Sequence, residues 1–321
     1  MGVVKKTIDC DVLIIGGGLA ASMAAIEAAK RGVKVVLVDK GRLGRSGSSS
    51  TSGGVPEAAF GHTDPRDSKE IHFNDTITAG DFIPHQKIVR AIVNEVTDRV
   101  VELEEIGGIF INERCKTGIG GLYAAGESST GTHGSNRLSG NAIASALVLG
   151  ARSGKFATDF ALGSGFSGID EREVLSEIER IESFKRDEGI DPNEIEGDIR
   201  EIAWESTGVV RNENGLKRGL RRFEEIRRDE VPKIKVKNLR DRIKALECGN
   251  LAWVEEMVAR CALERRESRG QHNREDYPKR DDKNWLKWVI VQRDGDRVGC
   301  KIEPISFDGT VLKPPTMSGV K

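Results

Sequence analysis

The sequence is poor in the features that announce several common protein classes. It has 321 residues but no apolar run near the roughly 18 needed to cross a bilayer, so no membrane insertion is expected. Fifty basic residues stand against fifty-one acidic ones, and a net charge of −1 gives no electrostatic case for nucleic acid. Aromatic residues make up only 5%. The five cysteines, at 10, 115, 248, 261 and 300, are an odd number, and no two have metal-ligand or iron–sulfur spacing. Neither a complete disulfide framework nor a metal site is expected from them, and reduced, packed thiols are. The opening MGVVKKTIDCDVLII runs into a strand pattern without the apolar core of a signal peptide, so a cytoplasmic location is expected.

What is present is globular: 37% hydrophobic residues, and 31% charged against a usual figure of about 25%. The length suits two domains, or one with a large appendage. Residues 10–39, CDVLIIGGGLAASMAAIEAAKRGVKVVLVD, show an apolar run, a glycine turn, an alanine-rich helical stretch and a second apolar run ending in Asp39. Gly16, Gly18 and Ala21 form G-x-G-x-x-A, with Gly17 inside it. The first glycine permits a tight turn, the second lets a pyrophosphate approach the backbone, and the small third residue lets helix lie on strand. Free N–H groups at the helix start suit phosphate, and Asp39 suits a ribose hydroxyl. Strand, helix and terminal acid agree on a dinucleotide site; the unit alone leaves NAD and FAD open. The stretch KGRLGRSGSSSTSGGV, residues 40–55, is rich in small donors that could line a long ligand. Taken alone it also fits a flexible linker, though connections at that point of such a fold are short.

Residues 121–151, GLYAAGESSTGTHGSNRLSGNAIASALVLGA, give a short strand over 122–125, a polar loop and a helix opening near Asn141. With GGGLAAS, GRSG…SGG, GLYAAGE, HGSNRLSGNAI and RRESRGQHNREDYPKRDDKNW in this order, the chain resembles a known family. These are the FAD-binding flavoprotein subunits of fumarate reductase and succinate dehydrogenase, with L-aspartate oxidase and the alpha subunit of adenylylsulfate reductase. The resemblance implies an α/β fold: a Rossmann-like FAD-binding domain followed by a C-terminal helical domain. It implies FAD as cofactor, contacted by Gly16, Gly17, Gly18, Ala21, Asp39, Lys40, Ser46, Gly53, Gly54 and Glu127. Asn141, Ala142 and Ile143 match a helix start aimed at the flavin pyrimidine edge, where a positive dipole end stabilises the reduced cofactor. Arg137 matches the arginine that clamps a substrate carboxylate, a task suited to its planar fork. His133 is read as a residue that orders its loop. Members that hold FAD covalently use a histidine near GRSG; none occurs between Gly41 and Gly61, so FAD is expected to be non-covalent. Serine is usual where Ala142 stands, and glycine where Ser139 stands.

The resemblance also exposes a gap. Ile88, Ile92, Val96 and Val100, flanked by Val89, Val93 and Leu103, give one buried helix face. Then ELEEIGGIFINERC passes straight to the segment found after the capping domain in intact members. The FAD domain is therefore expected to be incomplete and the cap absent, with two family segments joined near Gly107. An internal strand would be lost, leaving an edge exposed or newly paired. The expected division is 1–160, 161–270 and 271–321. In the middle part Val174, Leu175, Ile178 and Ile181 form one stripe. Leu216, Leu220, Phe223 and Ile226 form a second, and Leu251, Val254, Met257, Val258 and Leu263 a third. Arg221-Arg222 and Arg227-Arg228 are read as solvated faces. Glu267, Arg269, His272, Arg274 and Asp276 are expected to form a structural polar network, and a hairpin turns at Asp294-Gly295. By resemblance the protein is an FAD-dependent oxidoreductase that exchanges electrons between a small dicarboxylate and an iron–sulfur subunit, through which it could lie beside a membrane. The alternatives are a non-catalytic FAD- or partner-binding remnant and an adenylylsulfate-reductase-like enzyme.

Overall fold

A computed structural model describes residues 7–41, 68–95, 108–138, 140–165, 168–184, 186–294, 297–307 and 312. They fall into two compact units, one within 4–167 together with 306–321, the other spanning 168–305.

In the first unit β1 (Val12–Ile15), α1 (Leu19–Ala29) and β2 (Val35–Val38) follow the expected strand–helix–strand order. β1 and β2 pair in parallel, Val12 opposite Val35 through Ile15 opposite Val38. Val12 and Ile14 are buried under α1, while Leu13 and Ile15 on the other face are 56% and 80% exposed. α2 (Lys69–Ala79) starts on Ser68, whose hydroxyl accepts the Ile71 N–H. α3 (Gln86–Glu95) buries Ile88, Val89, Ile92 and Val93, as the periodicity predicts. Val96, Val100, Leu103 and the join near Gly107 lie outside the described residues. After the join β3 (Ile109–Phe110) pairs in parallel with β4 (Ser129–Thr130). No ladder connects that pair to β1–β2 among the described residues. The strand expected over 122–125 shrinks to one bridge, Tyr123 to Lys116. Its chain turns at once into a 3-10 turn at Gly126–Ser128, which leaves no length for a ladder.

α4 (Asn141–Ser164) is the long helix of this unit, and it lies across α1 at very short range. A Cβ at Gly150 would stand 2.5 Å from the Ala20 carbonyl oxygen, and one at Gly154 would stand 2.3 Å from that of Ala24. The two glycines, four apart, sit on one helix face opposite two alanines four apart. Only glycine permits this approach, because the obstructing atoms are backbone.

The second unit is helical: α5 (Glu171–Glu182), α6 (Pro192–Ser206), α7 (Glu213–Glu225) and α8 (Leu239–Glu264), with β5 (Val210–Arg211) after α6. β5 pairs with β6 (Asn273–Arg274). A short α9 (Asp282–Trp285) precedes the antiparallel hairpin of β7 (Lys287–Asp294) and β8 (Arg297–Pro304). Asp191, Asn212 and Asn238 cap α6, α7 and α8, each accepting a first-turn N–H. The second stripe is buried at Leu216, Phe223 and Ile226.

The other two stripes are corrected. α5 buries none of its residues, and Val174 and Leu175 face solvent. On α8 Leu251, Val254 and Val258 are exposed, and the inward face is instead Ala245, Cys248, Ala252, Glu256, Ala259 and Ala262. Large side chains from α7 fill the space opposite, so small residues are what the α8 face can hold. The arginine doublets are also half corrected. Arg222 pairs with Glu230 and with Asp198, and Arg227 Nε donates to buried Glu256 at 2.9 Å while its guanidinium lies 4.2 Å over Trp253. Glu256 also accepts from Arg260.

Three substitutions test this packing. Gly154→Val is expected to push α4 off α1 and cost more than about 2 kcal/mol in urea unfolding, whereas Gly163→Ala, with nothing within 4 Å of its Cβ, is expected to be neutral or stabilising by about 1 kcal/mol. Glu256→Ala leaves two guanidinium groups facing an empty, buried position and should cost about 2–4 kcal/mol; a cost under about 0.5 kcal/mol would show the α8 face to be tolerant.

Candidate FAD-binding and substrate-clamp residues

The Gly16 turn joins β1 to α1. Gly16 sits at φ +108, its N–H donates to the Val38 carbonyl at 2.8 Å, and Gly17 is buried. Gly18 is the N-cap of α1 and makes no side-chain cap, so the helix start is not closed by its own sequence. Ala21 lies in the apolar layer between α1 and the strands. Asp39, half-buried after β2, is oriented by accepting the Gly41 N–H at 3.2 Å on Oδ1, and Lys40 is exposed. Ser46, Gly53 and Gly54 lie outside the described residues.

The second half of the candidate site is brought to the first by close contact. Gly126 adopts φ +71, and a Cβ there would stand 2.7 Å from the Ala20 Cβ. Glu127, half-buried, is thereby held at the first turn of α1. An uncapped helix start, a left-handed glycine turn and two carboxylates in reach of the same end are what an adenosine diphosphate moiety requires. The described residues fit that half of FAD.

The polar loop 131–138 is seated on the α2–α3 turn. His85 N–H donates to the Gly131 carbonyl at 2.7 Å, and Ser135 Oγ donates to Asp81 Oδ2 at 3.0 Å. The turn itself carries two consecutive left-handed residues, Asp81 at φ +55 and Phe82 at φ +62. Gly134, at φ +65, lies so close to Gly80 that a Cβ would stand 2.5 Å from its carbonyl oxygen. His133 is buried in this seat, its Nδ1 makes no hydrogen bond, and burial lowers its pKa to about 4. Arg137 follows, half-buried. The loop that ends in Arg137, the candidate carboxylate clamp, thus has a backbone fixed by these contacts.

Asn141, Ala142 and Ile143 begin α4 and are all buried. The Asn141 side chain is engaged: its Oδ1 lies 2.5 Å from His72 Nε2, and its Nδ2 donates to Thr76 Oγ1 at 2.6 Å. Thr76 Oγ1 in turn donates to the His72 carbonyl, which fixes the hydroxyl as acceptor toward Asn141. His72 and Thr76 were missed in the sequence, although their spacing of one helical turn places them on one face of α2. Gly140 offers α4 no side-chain cap, and two N–H groups of its first turn already have backbone partners, Asn141 N–H to the Leu138 carbonyl at 3.1 Å and Ile143 N–H to the Gly140 carbonyl at 3.2 Å.

In the second unit the 267–276 cluster is brought together and closed on itself. Glu267, fully buried, accepts from Arg265 at 2.6 Å and from Arg269 at 2.7 and 2.9 Å. Arg274 grips Asp276 through two bonds of 2.7 Å, and holds its carboxyl down at about 2. His272 lies 3.0 Å from Arg211 Nη1 through Nδ1 and 3.1 Å from the Arg265 carbonyl through Nε2. A guanidinium only donates, so Nδ1 is the acceptor and the proton is on Nε2. Burial holds its pKa at about 4. The arrangement is structural.

The comparisons with known proteins agree with this anatomy. An FAD binding domain model matches residues 11–107 and 105–143, and a fumarate reductase flavoprotein C-terminal model matches 196–318. Together they define a flavoprotein with a dinucleotide-binding domain and a helical C-terminal domain. The chain belongs to the FAD-binding flavoprotein family of fumarate reductase, succinate dehydrogenase and L-aspartate oxidase. It is 42% identical over 188 residues to an uncharacterized FAD-dependent oxidoreductase of Methanocaldococcus jannaschii, covering 58% of this chain and 34% of that protein. Against the fumarate reductase flavoprotein subunit of Haemophilus influenzae it is 32% identical over 210 residues, 62% of this chain and 35% of that one. The chain spans about a third of the length of these curated relatives. An E. coli quinol fumarate reductase FrdA variant shares the fold, with a TM-score of 0.85 at 17% identity, covering 96% of this chain and 98% of that chain. No helix among the described residues is long and apolar enough to cross a membrane.

His133 and His272, whose pKa burial lowers to about 4, set a pH dependence. An unfolded histidine takes a proton below about 6.5, while His133 and His272 in the fold wait until about 4. Between those values the unfolded state binds more protons, so stability falls as pH drops through the window, by about 2 kcal/mol per histidine at pH 5. Urea unfolding at pH 7.5 and pH 5, with imidazole NMR showing neither ring titrating above pH 5, checks this; equal stability at both pH values would contradict it.

Proposed function

We propose that the chain binds FAD non-covalently and acts as a flavoprotein of the fumarate reductase and succinate dehydrogenase type, exchanging electrons between a small dicarboxylate and an iron–sulfur partner. The observation that carries the reading is the contact of Gly126 with Ala20, which sets Glu127 beside the Gly16–Gly18 turn although the two segments are a hundred residues apart in sequence. In this reading the α1 start and the Gly16–Gly18 backbone take the pyrophosphate, Ala21 keeps the helix close, and Asp39 and Glu127 accept ribose or ribityl hydroxyls. Lys40, Ser46, Gly53 and Gly54 run along the cofactor, and Asn141, Ala142 and Ile143 present the α4 start to the flavin ring. Bound flavin supplies hydride and single-electron transfer. Arg137 holds the substrate carboxylate, and the fixed 131–135 loop keeps its fork from wandering.

A second reading, non-catalytic FAD or partner binding, is favoured by the exposed Leu13 and Ile15 and by the short span against the relatives. A family cap that closes over the flavin excludes water and supplies a proton donor in the resemblance; Arg137 alone does neither.

Adding FAD, desalting and recording the visible spectrum tests cofactor binding. Retained, perturbed flavin bands are expected, with Asp39→Ala weakening FAD by about tenfold to a hundredfold. A colourless protein would overturn both FAD readings. Reduction followed by fumarate-dependent reoxidation separates them: the oxidoreductase reading expects reoxidation that Arg137→Met abolishes while the flavin spectrum stays, and retained flavin without reoxidation selects the second.

A further inference from the structure

One stripe of α8 changes character along its length: Ala245 and Gly249 are small, while Trp253 and Met257 are large. Residues four apart share a helix face, so the small pair leaves a space that the large pair walls. An open cavity of about 720 Å³ lies there, bounded by this stripe, by Phe184 after α5, and by Val291 and Val298 of the β7–β8 hairpin. Small-molecule sites usually enclose about 300–1,000 Å³ within mostly apolar walls, and this cavity fits both descriptions. Its lining belongs wholly to the second unit, whereas the candidate FAD and clamp residues belong to the first.

One charged group of the wall is held in place and still has donors to give. Arg227 donates through Nε to Glu256 at 2.9 Å, and its guanidinium lies 4.2 Å over the Trp253 ring. These two contacts fix the plane of the fork, and neither Nη1 nor Nη2 makes a hydrogen bond among the described residues. Both oxygens of Glu256 are engaged, since Oε1 accepts from Arg260. The other cation of the wall, Arg180, is exposed and gives its Nε and Nη2 to Glu177 at 2.7 and 2.6 Å. No acidic side chain lines the cavity among the described residues. An apolar space beside one oriented, half-buried guanidinium suits a ligand with an apolar body and a single carboxylate, which a planar fork meets through two parallel bonds.

We propose that this cavity binds a small amphipathic carboxylate, with its chain against Phe184, Met257 and Val291 and its carboxylate bridging Nη1 and Nη2 of Arg227. Burial of the chain supplies affinity, and the arginine fixes which end faces inward. An alcohol of the same chain length loses the charge-assisted pair, and an amine meets Arg227 with like charge. The site stands apart from the flavin reading, because none of its residues is a candidate for cofactor contact.

The test titrates the full chain, labelled at its methionine methyls, with octanoate, and follows binding by NMR and calorimetry. The Met257 signal is expected to shift and saturate while that of Met23 stays in place. The alcohol 1-octanol should bind about tenfold more weakly, and octylammonium should not saturate. Arg227→Gln should weaken octanoate by about tenfold, to the level of 1-octanol, whereas Arg180→Gln should leave its affinity unchanged. Val291→Trp, which fills the cavity, should abolish binding. A Met257 signal that stays still or drifts without saturating would overturn the proposal, as would equal affinity for octanoate and 1-octanol. A loss in Arg180→Gln as large as that in Arg227→Gln would overturn the assigned clamp. If Arg227→Gln or Val291→Trp fails to fold, the Met257 shift and the octanoate-to-octanol ratio of the unsubstituted chain decide.

Discussion

The crossing of α1 and α4 is the constraint on which the nucleotide-binding unit rests. Ala20 and Ala24 face Gly150 and Gly154 so closely that backbone meets backbone, and no side chain larger than hydrogen fits on the α4 side. The contact joins segments that the chain separates by more than a hundred residues. In an unbroken dinucleotide fold a continuous parallel sheet would hold those segments together. Here the described strands form two separate pairs, β1–β2 and β3–β4, so helix-on-helix approach does what a ladder would otherwise do. Gly126 repeats the device on Ala20, and the candidate site inherits its geometry from these three glycines.

A second layer of restraint comes from buried polar bonds. His72, Thr76 and Asn141 tie α2 to the start of α4, and the α2–α3 turn seats the loop that ends in Arg137. Left-handed residues at Asp81 and Phe82 are costly by themselves, of order 1–3 kcal/mol each, and persist only where surrounding bonds determine them. The turn gives its Gly80 carbonyl and Asp81 carboxylate to Ser135, so the cost is balanced at the point where the loop needs to be rigid.

Much of this was legible in the sequence, for reasons that differ by element. The β1–α1–β2 unit was readable because a period of two, a glycine turn and a period of 3.6 follow one another without ambiguity. The α3 face was readable because Ile88, Val89, Ile92 and Val93 are large and regularly spaced. The α8 face was not. Its interior is alanine and cysteine with one glutamate, and a reading weighted to large apolar residues chose Leu251, Val254 and Val258, which face outward. The polar cluster of 267–276 was visible as a concentration of charge, but its partner Arg211 is joined to it only by the fold. His72 escaped because a histidine one turn before a threonine carries no signal without Asn141 beside it.

The exposed face of β1–β2 bears differently on the two halves of the proposed reading, cofactor binding and catalysis. In the proposed reading, phosphate and ribose recognition would use backbone N–H groups and carboxylates at one end of α1, and that end is fixed by the close approach of α1 and α4. Catalysis on a bound flavin asks for more: the substrate must be held in a dry, closed site, so that charge developing in the transition state meets fixed dipoles rather than water. Leu13, Ile15 and Val38 on the strands show exposed apolar surface. In the proposed reading, cofactor affinity rests on contacts within this chain, and turnover asks in addition for a cover over the exposed strand face.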